Sequence, residues 1–178
     1  MLDRRFAIYN KLDIIMTIQR EAAFHEAGHA IAAHRSKFHA LVGPINLQQY
    51  GAGEVFVSLS KSKLQAAGKP VTVASQKDKE VVTDLAVVLC AGLVSERLAE
   101  ERAGLKANPN CAVPDHDLMK QQLVNAGLSA RFDRHESSVR QMLESEWALV
   151  SSLADFLYQN VATDPTDVIE FIEQHTHL

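Results

Sequence analysis

Between residues 77 and 101, apolar side chains recur at helical spacing through Val81, Val82, Leu85, Val88, Leu89, Leu93, Val94 and Leu98. The stripe is wide enough to wrap the middle of the segment, which predicts a central, buried helix, capped by Ser75 and ending near Gly104. A second long stripe, over 136–160, carries Val139, Met142, Leu143, Trp147, Val150, Leu153, Phe156 and Leu157. Shorter helical patterns cover about 116–126, with Asp115 as cap and Gly127 as stop, and 167–174 after the turn Thr163-Asp164-Pro165. Near the start, an alanine-rich helix is expected from about residue 18 to 36 or 37, capped by Thr17. Between 41 and 59 the period changes. Residues 41–47 and 54–59 are strand-like, and the glycines Gly51 and Gly53 lie between them, which predicts an antiparallel hairpin. Residues 61–70 are polar, a loop holding a turn of helix. The pattern as a whole predicts a predominantly α-helical α+β fold, with a small antiparallel sheet and a C-terminal helical bundle. Residues 17–178 form one domain in this reading, and 1–16 an N-terminal arm.

The bulk properties narrow the partners. At 178 residues the chain can bury roughly two thirds of its unfolded surface, enough to house a site in a core. The formal charge of −4 is spread along the chain, so neither nucleic acid nor an anionic membrane is expected as main partner. The longest apolar run, 85–94, is about half of a membrane span, so no membrane segment is expected. Residues 1–15 mix Asp3, Arg4, Arg5, Lys11 and Asp13 with apolar residues and do not read as a secretory signal. Two cysteines without C-x-x-C spacing point to reduced thiols and a cytoplasmic protein.

The chemistry lies in His25-Glu26-Ala27-Gly28-His29. Residues four apart stack on one helical face, so His25 and His29 can meet one Zn2+ ion with Glu26 beside it, the H-E-x-x-H arrangement of zinc hydrolases. Catalytic zinc usually takes a third protein ligand. The extended pattern that supplies it six residues after the second His fails, because that position is Arg35 and Ala32 stands where Gly is required. Two carboxylates remain open: Glu96, on the central helix, and Asp117, at the start of the helix that follows a polar loop.

These features together resemble the proteolytic domain of the FtsH-type ATP-dependent zinc metalloproteases over roughly residues 17–175. His25 to His29 matches the family's form of the motif letter for letter. The glycine-bearing hairpin, Ala91-Gly92 followed by Glu96, and an Asp before an apolar residue at a helix start match in order and spacing. The resemblance implies Asp117, followed by Leu118, as third ligand, and Asp115 as a helix cap two residues before. The family's Asn is His116 here, which makes His116, with Glu96, an alternative ligand. The family's Arg is Leu93.

The implied activity is zinc-dependent hydrolysis of peptide bonds in unfolded or flexible polypeptides, with Glu26 as general base. No G-x-x-x-x-G-K-[ST] segment accompanies the motif. A separate ATPase or a homo-oligomer is left open as partner. The rival expectation is a non-proteolytic zinc-binding regulatory or interaction module on the same fold.

Overall fold

The computed structural model describes the backbone of residues 4–47 and 57–176, and side chains from residue 20 onward. Its frame is two long helices in contact. Helix α1 (Arg4–Arg35) is continuous through Thr17, so the expected cap lies inside it. No glycine or proline occurs before Gly28, and nothing in residues 4–27 stops a helix. Its C-terminus is closed from outside: the Lys63 ammonium lies 2.9 Å from the carbonyl of Ala33, 3.1 Å from His34, 2.8 Å from Ser36 and 2.7 Å from His39. A cation there satisfies carbonyls left without helical partners and complements the helix dipole.

Three short strands follow in sequence. β1 (His39–Leu41) pairs antiparallel with β3 (Val57–Leu59), His39 opposite Leu59 and Leu41 opposite Val57. β2 (Ile45–Asn46) pairs instead with β4 (Ala162–Thr163), a strand too short for any period to announce. The expected hairpin turn, at residues 48–53, and residues 54–56 lie outside the described residues. Helix α2 (Lys61–Ala66) fills part of the expected polar loop, with Ser60 as its cap.

Helix α3 (Lys79–Ala103) is the central helix. Its cap is Asp78, whose side chain accepts from the backbone N–H of Glu80 and Val81 at 2.9 and 3.2 Å. Ser75, expected there, sits in a preceding 3-10 turn and donates to the carbonyl of Pro70, so its hydroxyl is already engaged. Gly104 ends α3 at φ 68°, a left-handed conformation open to glycine at little cost.

Helix α4 (Val113–Asn125) starts earlier than predicted. Pro114 occupies its first turn, where a missing N–H costs nothing, and Asp115 lies inside the helix rather than at its cap. The predicted 136–160 helix is two helices, α5 (Asp133–Ser145) and α6 (Trp147–Gln159), separated at Glu146. No proline or glycine marks the break. Tertiary contacts accompany it: Trp147 stacks on Phe24 at 5.6 Å, and the Glu146 carboxylate takes both Nε and Nη2 of Arg35 at 3.0 Å. Helix α7 (Pro165–His175) packs on α6 through Phe156 and Phe171.

The protein is therefore predominantly helical with a small antiparallel strand set. Helices α3 and α6 flank α1, while α4 and α5 lie on α3. Among the described residues, no helix is long and apolar enough to cross a membrane.

Candidate metal centre

The α1–α3 contact is built from small residues. A Cβ on Gly28 would stand 2.5 Å from the carbonyl oxygen of Ala91 and 2.6 Å from Cβ of Ser95, so the helices touch at that glycine. This closeness presses His25, Glu26 and His29 against α3, each less than a tenth exposed.

Each imidazole is fixed through Nδ1. His25 Nδ1 donates to Glu96 Oε1 at 2.5 Å, and His29 Nδ1 donates to the carbonyl of Val88 at 2.8 Å. A carbonyl can only accept, so the His29 proton belongs on Nδ1 and its Nε2 offers a lone pair. His25 likewise is held through Nδ1, with Nε2 turned toward Asp115. The two Nε2 atoms lie 3.0 Å apart, and Asp115 Oδ2 reaches them at 3.3 Å from His25 and 3.2 Å from His29. Three ligand atoms thus converge from two elements.

The donor set fits a zinc-like cation. With bonds of about 2.0–2.1 Å, neighbouring ligand atoms of a tetrahedral site stand about 3.3 Å apart, close to the three spacings observed. Space is left beside them: a Cβ on Gly92 would fall 2.5 Å from both Nε2 atoms, and glycine leaves that volume open. Glu26 stands next to the triad with Oε2 buried and without a partner.

Electrostatics reflect how tightly these groups are packed. Burial would lower the His25 imidazole, but hydrogen bonds with Asp115 and Glu96 and the charge of Glu26 raise it to about 10 in the absence of a cation. Burial pushes the Glu26 carboxyl up to about 7, against the pull of His25 and His29. Burial would also raise Asp115, yet His29 and His25 hold it well below the usual carboxylate range. Each histidine is thus the main counterweight to a buried acid.

Asp117 does not join this cluster. Its side chain is 69% exposed and pairs with Lys120 at 3.7 Å. Because α4 begins at Val113, Asp115 is the residue turned toward α1. Asp117, two positions on, lies about 200° around the helix. Glu96 is not in the triad either. Its Oε1 fixes His25 and its Oε2 accepts the N–H of Asn108 at 2.6 Å. His116 also stays out: its ring packs on Phe132 at 4.3 Å, and its buried Nε2 has no partner.

Sequence reasoning missed Asp115 as a donor, although Pro114 one residue earlier marks where a helix can begin. It also missed the tether of the loop before α4, where Glu21 accepts the N–H of Lys106 at 3.1 Å and Glu96 that of Asn108. These bonds tie the segment leading to Asp115 onto the two helices that carry the rest of the centre.

No model of a known protein family matches this chain, and no curated protein matches it significantly.

Proposed function

We propose that this protein is a zinc-dependent metallopeptidase that hydrolyses peptide bonds in flexible polypeptides, built on a zincin-like helix in an FtsH-type proteolytic fold. The observation that carries the reading is the convergence of His25 Nε2, His29 Nε2 and Asp115 Oδ2 within 3.3 Å, with Glu26, whose buried Oε2 has no partner, beside them.

His25, His29 and Asp115 would hold the ion, with Asp115 in the role that the family resemblance gave to Asp117. Zinc bound there would supply a Lewis acid that acidifies water and polarises a carbonyl. Glu26 accepts the proton of the attacking water at its free Oε2 and passes it to the departing amine nitrogen. Val88 and Glu96 would hold both imidazoles through Nδ1, which leaves Nε2 of each ring as the nitrogen that faces the ion. The close α1–α3 packing at Gly28 keeps His25, Glu26 and His29 each less than a tenth exposed.

A regulatory zinc module on this fold is the rival. A structural zinc normally closes its shell with four protein ligands, whereas three converge here among the described residues, and a buried carboxylate oxygen left without a partner has no use in such a site. Flexible peptides are the substrates the chain reaches by itself; a separate ATPase would be needed to present folded ones. The test is metal analysis of protein purified without added zinc, followed by hydrolysis of a quenched peptide with and without a zinc chelator. Glu26→Gln is expected to keep its zinc and lose about 10²–10⁴-fold in kcat. Cleavage by Glu26→Gln at the parent rate would overturn the assignment.

A further inference from the structure

Past the end of α1, main-chain carbonyls converge on a single positive charge. The Lys63 ammonium lies 2.9 Å from the oxygen of Ala33, 3.1 Å from that of His34, 2.8 Å from Ser36 and 2.7 Å from His39. An ammonium has three N–H groups, so it cannot give each of four acceptors a proton of its own. A spherical ion has no such limit. Rings of carbonyl oxygens replace the hydration shell of K+ in channels, and K+ is close to ammonium in size. Divalent ions fit these spacings poorly: Mg2+ draws oxygens in to about 2.0–2.1 Å and Ca2+ to about 2.3–2.6 Å, and both favour carboxylate ligands.

The carbonyls are aimed by bonds in which Lys63 has no part. In a trans peptide the C=O and the following N–H point to opposite sides. Asp84 takes the N–H of Lys37 at 3.1 Å, which turns the Ser36 carbonyl the other way, toward Lys63. Ser36 Oγ accepts the N–H of Phe38 at 3.2 Å and of His39 at 2.7 Å, and the Ser36 N–H donates to the Ala32 carbonyl at 2.8 Å. The oxygens of Ala33 and His34 belong to the last turn of α1, where carbonyls run out of helical partners.

The lysine is placed by its neighbours as well. Leu64 is buried with Phe38 and Val81, and the Ser60 N–H donates to the Phe38 carbonyl at 2.8 Å. These contacts keep α2 beside the cradle when the Lys63 side chain is shortened. Burial opposes the charge on Lys63, while the Asp84 carboxylate favours it. That carboxylate favours any cation in the same place.

We propose that the carbonyls of Ala33, His34, Ser36 and His39 form a site for a monovalent cation of potassium size, with the Lys63 ammonium as its resident cation. K+ takes the place of the ammonium when the Lys63 side chain is cut back. The tethered amine is present at high effective concentration, so the unaltered protein needs no added K+. The proposal goes beyond the peptidase reading and does not rest on it.

The test is unfolding of the full chain by heat and by urea, followed by circular dichroism in KCl, NaCl or choline chloride at one ionic strength, which keeps screening constant. In choline chloride, Lys63→Ala should melt about 5 °C below the unaltered protein. KCl should recover most of that loss. Above the dissociation constant, each tenfold rise in K+ should raise the folded-to-unfolded ratio of the variant by up to about tenfold, against less than about twofold for the unaltered protein. NaCl should recover less, because Na+ is the smaller ion. n-Propylammonium, which supplies the missing stem and amine, separates a cation site from a simple helix cap: recovery with it and none with K+ overturns the proposal. Equal stability of Lys63→Ala in all three salts overturns it too. Lys63→Ser serves the same comparison should Lys63→Ala aggregate, and variants that stay unfolded in KCl also count against the site. In crystals of the variant grown with Tl+ in place of K+, anomalous scattering should mark an ion among the four oxygens; thallium found only elsewhere on the protein refutes the assignment.

Discussion

Gly92→Ala is the most economical probe of the centre, because the substitution should help a helix and harm a metal site. Alanine is the better helix former by about 1 kcal/mol, so in an open environment the variant would be the more stable protein. Here the added Cβ would stand 2.5 Å from Nε2 of both histidines and 2.7 Å from Cδ2 of His25. Carbon and nitrogen in van der Waals contact sit about 3.5 Å apart, so the overlap is close to 1 Å on two rings at once. Neither ring can turn away freely. Moving His25 gives up its Nδ1 bond to Glu96, and moving His29 gives up the one to Val88. Losing one such buried bond costs about 1–3 kcal/mol, and a mid-range 2 kcal/mol corresponds to roughly thirtyfold in zinc affinity. The assay is competition with a chromogenic zinc chelator, with far-UV circular dichroism to verify helix content. Zinc binding by Gly92→Ala at parental affinity would refute the placement of the ion between His25, His29 and Asp115.

Three further outcomes follow from the same geometry. Asp115→Asn should lower zinc content sharply while Asp117→Asn leaves it unchanged; the reverse order, by metal analysis of the purified variants, would restore Asp117 as ligand. Glu96→Gln should weaken zinc about 10–100-fold by loosening His25, and should increase hydrogen exchange at Asn108, whose N–H it holds; an unchanged exchange rate there counts against the tether. His135 is buried, its Nε2 has no partner, and burial lowers its proton affinity from the ordinary value near 6.5. The unfolded chain therefore protonates first as pH falls, so stability present above about pH 6.5 is lost toward the lower folded value. His135→Leu should gain about 1 kcal/mol at pH 7 and more at pH 5 by urea denaturation; a variant less stable than the parent at pH 5 would contradict this.

What the sequence disclosed depended on the length over which each signal repeats. The 25-residue α3 was legible because its apolar period recurs many times, and Gly104 punctuates its end. The pair His25 and His29 was legible because its geometry is set within a single helical turn. Asp115 was not, since the choice between it and Asp117 turns on a three-residue shift in where α4 begins, and both positions satisfy a helix N-terminus electrostatically. The break at Glu146 and the β2–β4 pairing depend on distant partners, Arg35 and Phe24 in one case and the segment before residue 47 in the other. No local pattern encodes them.

The centre is best understood as the meeting of two rows. On α1, every fourth residue from Glu21 acts on something outside its helix: Glu21 on the backbone of Lys106, His25 and His29 in the triad, Ala33 through its carbonyl on Lys63. On α3 the matching row is Asp84, Val88, Gly92 and Glu96. Asp84 fixes His39, Val88 fixes His29, Gly92 leaves the space, and Glu96 fixes His25. Rows of i, i+4 residues are the ridges by which helices interdigitate, so the contact that packs α1 on α3 is the same contact that aligns the donors. Packing and chemistry cannot then be changed independently along these rows. A substitution that only repacks the helices, such as one enlarging Gly28 against Ala91 and Ser95, must displace His25 and His29 from Glu96 and Val88, although Gly28 itself offers no ligand atom.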